Sequence, residues 1–283
     1  MQICLFIVIL IPFLLLSGLF FKSALLVDTN SFYDLLFTSE WKPLSGKFGL
    51  LSFIISSLYV TIIAILIAGP VCVLTAVFIT HYAKSRILRI MHPVIDILAG
   101  LPSVLYGVWG ILIIVPFVSN NLAPVFGKET SGYSIIAGGI VLSVMITPFI
   151  LNILIEIFRS IPAELSEASL SLGASKWQTI KHTIVRKAMP GIISAFGLGI
   201  SRAFGETIAV LMVTGNMVKM PRNILDPGYP LPALIANNYG EMMSIPRYDS
   251  ALMFAALVLF LIVILFNFAS RLLITSMENT ISS

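Results

Sequence analysis

Apolar residues run through this chain in six long blocks separated by short polar stretches. The blocks cover roughly 3–26, 49–80, 91–118, 133–157, 190–216 and 249–275. At about 1.5 Å rise per residue, each can cross a hydrocarbon core about 30 Å thick as a helix. The apolar positions do not alternate with period two, so the blocks do not read as strands of a barrel. A bilayer leaves helices as the other way to satisfy the backbone. The pattern therefore predicts an all-α polytopic membrane protein with about six transmembrane helices. The second block contains Gly69-Pro70, a place where a helix can kink.

Composition agrees with the pattern. Charged residues make up only 11% of 283 positions and apolar ones 58%, with a mean hydropathy of +1.02. A soluble domain carries about 25% charged residues. Cys4 and Cys72 both lie in apolar blocks and read as small hydrophobes. His81, His92 and His182 have no metal-ligand spacing, so no metal or other cofactor is expected. The net charge of +4 does not indicate nucleic acid as a partner; its basic residues sit in loops, as membrane topology requires. Lys84, Arg86 and Arg89 crowd the 81–90 loop, and five more cations crowd 158–189. That density places both loops, and with them both chain termini, in the cytoplasm. The first block has no basic residue before it and is expected to remain as a helix. The outer loop at 217–248, with Pro221, Pro227, Gly228 and Pro230, reads as an ordered excursion that does not span.

Two polar features interrupt the apolar background. The first is EASLSLGASKWQTIKHTIVRKAMP, starting at Glu167. Pro162 suits the start of a short helix, Gly173 a left-handed turn, and Ser175 with Gln178 a capping box for a second helix. Trp177, Ile180 and Ile184 would form an apolar face on that second helix. Such a segment either docks a soluble partner or lies on anionic lipid; the residues alone divide evenly between the two.

The second feature is Arg202 with Glu206, inside the fifth block. Arg202 falls about 18 Å into the membrane past Pro190. A charge at the centre costs about 2.5–3.5 kcal/mol on insertion scales, so something must offset it. At spacing i, i+4 the two can pair on one helix face. Either the pair locks helix packing, or Arg202 meets an anion in transit and Glu206 holds the arginine. Gly197, Gly199 and Gly205 permit close approach of a neighbour, and Thr207, Thr214 and Asn216 add polar groups toward the outer end. In the third block Asp96, Gly100, Ser103 and Gly107 fall on one small-polar stripe. In the second, Ser52, Ser56, Ser57 and Thr61 form i+4 pairs that can hydrogen-bond across helices, and in the fourth Asn152 and Glu156 line up near the inner surface.

The spacing Glu167, Ala168, Ser169 and Gly173 resembles the EAA loop of ABC-importer permeases, with Ser169 for the usual alanine and Arg186 where proline is usual. The resemblance implies a loop that docks into a cytoplasmic ATPase, and a MetI-like helical bundle. Three further stretches resemble the membrane subunits of phosphate-specific (Pst) ABC importers, the first of them the PstC type: WKPLSGKFG at Trp41, LAGLPSVLYGVWG at Leu98 and SRAFGETIAVLMVTGN at Ser201. Together they span about residues 40–275. The resemblance implies a permease that moves inorganic phosphate by alternating access, with Arg202 and Glu206 on the path. It implies a second, PstA-like permease, a PstB-like ATPase dimer and an extracytoplasmic PstS-like binding protein as partners, besides membrane lipid. The organisation expected is a first helix and outer loop at 1–48, a permease domain at 49–275 with its coupling loop at 158–189, and a cytoplasmic tail at 276–283. SGKFG at Ser45 lacks the glycine spacing and hydroxyl of a nucleotide loop, so the chain itself is not expected to be an ATPase. A permease for sulfate or molybdate, and a membrane scaffold or sensor, remain as alternatives.

Overall fold

The computed structural model describes residues 2–28, 30–241 and 246–282, with side-chain surroundings for 5–28, 30–241 and 247–275; the expectation for Cys4 and the tail beyond 275 fall outside the latter. Among these residues eleven helices follow one another. They are α1 (Gln2–Val27), α2 (Phe32–Phe37), α3 (Leu51–His81), α4 (Ser85–Gly100), α5 (Ser103–Val125), α6 (Ile135–Arg159), α7 (Ala163–Ser171), α8 (Lys176–Phe204), α9 (Ile208–Leu211), α10 (Leu231–Asn238) and α11 (Pro246–Ser282). Six are long and apolar enough to span: α1, α3, α5, α6, α8 and α11. One short antiparallel hairpin, β1 (Trp41–Lys42) and β2 (Lys47–Phe48), pairs Trp41 with Phe48 around a turn at Gly46, whose φ is +69°.

The third expected span needs correction. Residues 91–118 are not one helix: the chain breaks at Leu101-Pro102, with Leu101 extended. A residue before proline is pushed away from helical geometry, so the signal was present in the sequence. The amphipathic α4 precedes the break. The spanning helix α5 follows it and continues to Val125, through two wide turns in which Val115 N–H bonds Gly110 O and Ala123 N–H bonds Val118 O. Each wide turn adjoins a proline, Pro116 or Pro124, which cannot donate to the helical ladder. The stripe expected from Asp96 to Gly107 is thereby split between two helices. Asp96 is exposed on α4, whereas Gly107 on α5 has no room for a Cβ beside Met212 and Ala209. The Tyr106 hydroxyl donates to Leu98 O at 2.6 Å and clips the two helices together across the break.

The fifth span also differs. It begins at Lys176, so the second limb of the coupling loop and the membrane helix are one rod. It ends at Phe204, not near 216. Residues 205–207 leave the helix, α9 adds a single turn, and irregular chain follows.

Two apolar cores hold the bundle. The larger runs through α3, α6 and α8, with Ala64, Ala68, Leu142, Ile146, Ile150 and Ala195 fully buried. Small residues let the helices approach: a Cβ on Gly199 would meet Ile150, and one on Gly191 would meet Ile157. In a bilayer, where lipid is as apolar as leucine, such close packing drives association. The smaller core joins the end of α1, the starts of α3 and α11, and α10. Trp41, partly buried, packs against it, edge-on to Phe48, Phe53 and Tyr248. The Tyr229 hydroxyl accepts from Asn237 and Asn238 at 2.9 and 2.8 Å. Of the four hydroxyls expected to bond across helices, two bond to another element: Ser56 and Ser57 Oγ accept from the Tyr229 and Leu231 amides, whereas Ser52 Oγ has no partner among the described residues. Ser56 and Ser57 pin the loop that follows α9.

Candidate functional site

The segment from Ala163 onward folds as a helix, a turn and a second helix. α7 starts directly after Pro162. The chain then turns at Gly173, whose φ of +84° lies in the left-handed region that only glycine enters cheaply. Gly173 N–H reaches Leu170 O and Ala174 N–H reaches Ser169 O, closing the C-terminal carbonyls of α7. The capping box is formed: Gln178 N–H donates to Ser175 Oγ, and Ser175 N–H to Gln178 Oε1. Ser169 Oγ lies 3.0 Å from Thr179 Oγ1, tying the two limbs. The departure from alanine at Ser169 thus adds a polar bond inside the loop. On the far side, Lys176 Nζ lies 4.6 Å from the centre of the Tyr82 ring at the end of α3.

The apolar face expected on the second limb is divided. Ile180 and Ile184 turn inward and are buried. Trp177, at 54% exposure, remains outside with Leu170 and the 89% exposed Leu172. The outward apolar surface therefore centres on the turn. The wide turn over Thr179–Ile184 accompanies this rotation of side chains into the core.

Arg202 occupies the last turn of α8 and Glu206 lies beyond its end. The helix break removes the i, i+4 geometry, so the pair expected from spacing does not form: among the described residues neither makes an ion pair. Glu206 Oε1 instead accepts from the Ala209 amide at 3.4 Å, at the N-terminus of α9. Arg202 is exposed on the chain's surface and lies with its guanidinium carbon 4.6 Å from the centre of the Phe149 ring on α6. Two elements, α8 and α6, thus meet at this cation. A Cβ on Gly205 would make ordinary contact with the Ser201 and Arg202 carbonyls, whereas Gly197 and Gly199 pack tightly against α11 and α6.

Outward of the break, the polar side chains of the same motif are committed to the backbone. Asn216, with a left-handed φ of 48°, donates its Nδ2 to Leu211 O at 2.8 Å. Thr214 Oγ1 donates to Val210 O. Both close the open carbonyls at the end of α9. A cleft of about 340 Å³ opens beside them, lined by Ser131, Tyr133, Gly215 and Asn216 among others. Sequence reading missed Phe149 and Tyr106, because an aromatic inside an apolar block carries no polar signal. Among the described residues no group of three or more His, Cys, Asp or Glu is placed to hold a metal ion.

Six spans, a break in the fifth beside an ionisable side chain, and a helical hairpin between the fourth and fifth spans define the architecture of an importer permease. Residues 72–282 match the family described as the binding-protein-dependent transport system inner membrane component, and the chain belongs to that family. The phosphate transport system permease protein PstC of Xylella fastidiosa is 33% identical over 267 residues, covering 89% of this chain and 81% of that protein. PstC of Haemophilus influenzae is 31% identical, covering 87% and 82%. Among solved structures, the inward-facing MetNI methionine ABC transporter superposes with a TM-score of 0.58 at 21% identity, over 81% of this chain and 94% of that one. This last likeness concerns the fold, and it is the MetI-like bundle that the sequence suggested.

Proposed function

We propose that this chain is one of the membrane permease subunits of an ATP-driven importer and carries inorganic phosphate across the cytoplasmic membrane. Phosphate is the solute named for the PstC relatives. The observation that carries the reading is Arg202: a guanidinium in the last turn of a spanning helix, without an ion pair among the described residues, on a face this chain leaves uncovered. A charge cannot face hydrocarbon cheaply, so that face is covered by a second permease subunit and a polar path between the two. Arginine suits a phosphate in transit, because its planar fork donates paired hydrogen bonds. Glu206 stands at the same break and keeps α9 in place beside the path.

Coupling belongs to Glu167, Ala168, Ser169 and Gly173. The turn they build presents Leu170, Leu172 and Trp177 to a cytoplasmic ATPase dimer, which hydrolyses the ATP. An extracytoplasmic binding protein delivers phosphate to the outer loops. PstA-, PstB- and PstS-like proteins fill these three roles. Both termini lie in the cytoplasm, with 1–48 as first helix and outer loop, 49–275 as the permease domain and 276–283 as the tail.

The test is labelled-phosphate uptake in cells that lack the permease, supplied with wild type or Arg202→Ala, with membrane levels of each measured. Wild type restores uptake, unlabelled sulfate and molybdate leave it unchanged, and Arg202→Ala at equal membrane level loses most of it. Failure of the wild type to restore uptake, with all partners expressed, would sink the phosphate assignment. Normal uptake by Arg202→Ala would demote the arginine to packing.

A further inference from the structure

We infer that Phe149 is a positioning residue: its ring holds the Arg202 guanidinium flat, so that the edges carrying the N–H donors stay free for the passing oxyanion. The inference rests on the reading of Arg202 as a contact for the solute. Spacing alone assigns the holding role to Glu206, but Glu206 is turned toward the Ala209 amide and forms no ion pair with Arg202. Among the described residues Arg202 donates no hydrogen bond to protein; its close partner is the Phe149 ring, 4.6 Å from the guanidinium carbon.

The chemistry of that contact differs from an ion pair. A carboxylate engages the guanidinium along its edge, uses two of its donors and cancels its charge. An aromatic ring attracts the cation through its face. All five N–H donors then remain available in the plane, and the charge remains for the anion. A weak platform also suits transport, because a site that must release its solute gains nothing from a tight clamp. Phe149 is itself well placed to be rigid. It sits on α6, the most deeply buried of the spans, directly after Pro148 and between the fully buried Ile146 and Ile150. Thr147 beside it is tied to Ser143 O through its hydroxyl at 2.7 Å. A site carried on a rigid element holds its geometry better than one on a loop.

The test compares Phe149→Leu and Phe149→Trp for phosphate uptake per unit of membrane-inserted complex, with ATP hydrolysis by the purified complex as the control for assembly. Leucine keeps apolar bulk without the ring; tryptophan keeps and strengthens the ring but overfills the space. Phe149→Leu is expected to lower uptake by about five- to thirtyfold while hydrolysis persists, and Phe149→Trp to transport better than Phe149→Leu. In an Arg202→Lys background, where the planar fork is gone, the Phe149→Leu loss shrinks to less than half of its value. A purely packing role reverses the first order, with tryptophan the worse substitution, and that result overturns the inference. So does undiminished uptake by Phe149→Leu. Normal uptake by Arg202→Ala would instead strike the reading of the site itself, which keeps the two failures apart.

Discussion

Single side chains here are decided by whether a polar atom finds a partner in an apolar surround. Ser56 and Ser57 each bond back to α3 and accept from the outer loop. Ser52, one turn earlier and equally buried, has a hydroxyl with no partner among the described residues. An orphaned buried hydroxyl costs about 1–3 kcal/mol. Ser52→Ala is therefore expected to leave the purified protein as stable as wild type or more so, read as the midpoint of thermal unfolding in detergent. A clear fall in that midpoint would mean that Ser52 has a partner in the assembled complex. Tyr229 shows the opposite balance. Burial pushes its phenol above the ordinary range, and the two asparagine amides only partly pull it back. It stays neutral and keeps accepting both amides. The spacing of the serines and of Arg202 was readable in the sequence, but which partner each would take was not. Glu206 illustrates the reason: a three-residue break in the helix redirects its carboxylate from Arg202 to the backbone of α9.

At the scale of elements, prolines and glycines set where helices stop. Leu101-Pro102 divides α4 from α5, and Gly205 ends α8 beside Arg202. Yet Pro70, Pro148 and Pro190 sit inside helices that run on, because neighbours in the bundle offset the missing bond. This is why the expected spans of 91–118 and 190–216 were misplaced while the second and fourth were close. The coupling hairpin was read more fully, since its turn depends on local chemistry: a glycine at positive φ and a reciprocal cap. That geometry yields a prediction. At φ +84° a β-branched side chain is strained by about 1–3 kcal/mol, although open space surrounds Gly173. Gly173→Val should therefore distort the turn without disturbing the membrane core. Uptake should fall severalfold at unchanged membrane level, and ATP hydrolysis should no longer follow phosphate supply. Loss of the protein from the membrane would show that the turn serves folding instead.

The whole molecule is two cores at different depths. The inner one binds α3, α6 and α8 to the coupling hairpin; the outer one binds α1, α10, α11 and the Trp41 hairpin into an external cap. The orientation proposed here places the 163–184 hairpin and the Trp41 hairpin on opposite sides of the membrane. Single cysteines at Ser45 and Ser175, in a chain with Cys4 and Cys72 replaced, test it. A membrane-impermeant maleimide added to intact cells should label position 45 and not 175, with the reverse in inside-out vesicles. The opposite result would invert the topology and move the coupling hairpin away from any cytoplasmic ATPase. The sequence by itself determined what depends on local chemistry and on solvent: six apolar spans, helices as the only fitting backbone, the glycine turn and cap, and the presence of an ionisable group at bilayer depth. The tertiary structure alone decided the long-range partners. It brought Phe149 and Arg202 from two helices to one place, turned Ile180 and Ile184 inward, and left Arg202 without an ion pair among the described residues. Those outcomes follow from how helices separated by many tens of residues pack, and no spacing within one helix records that.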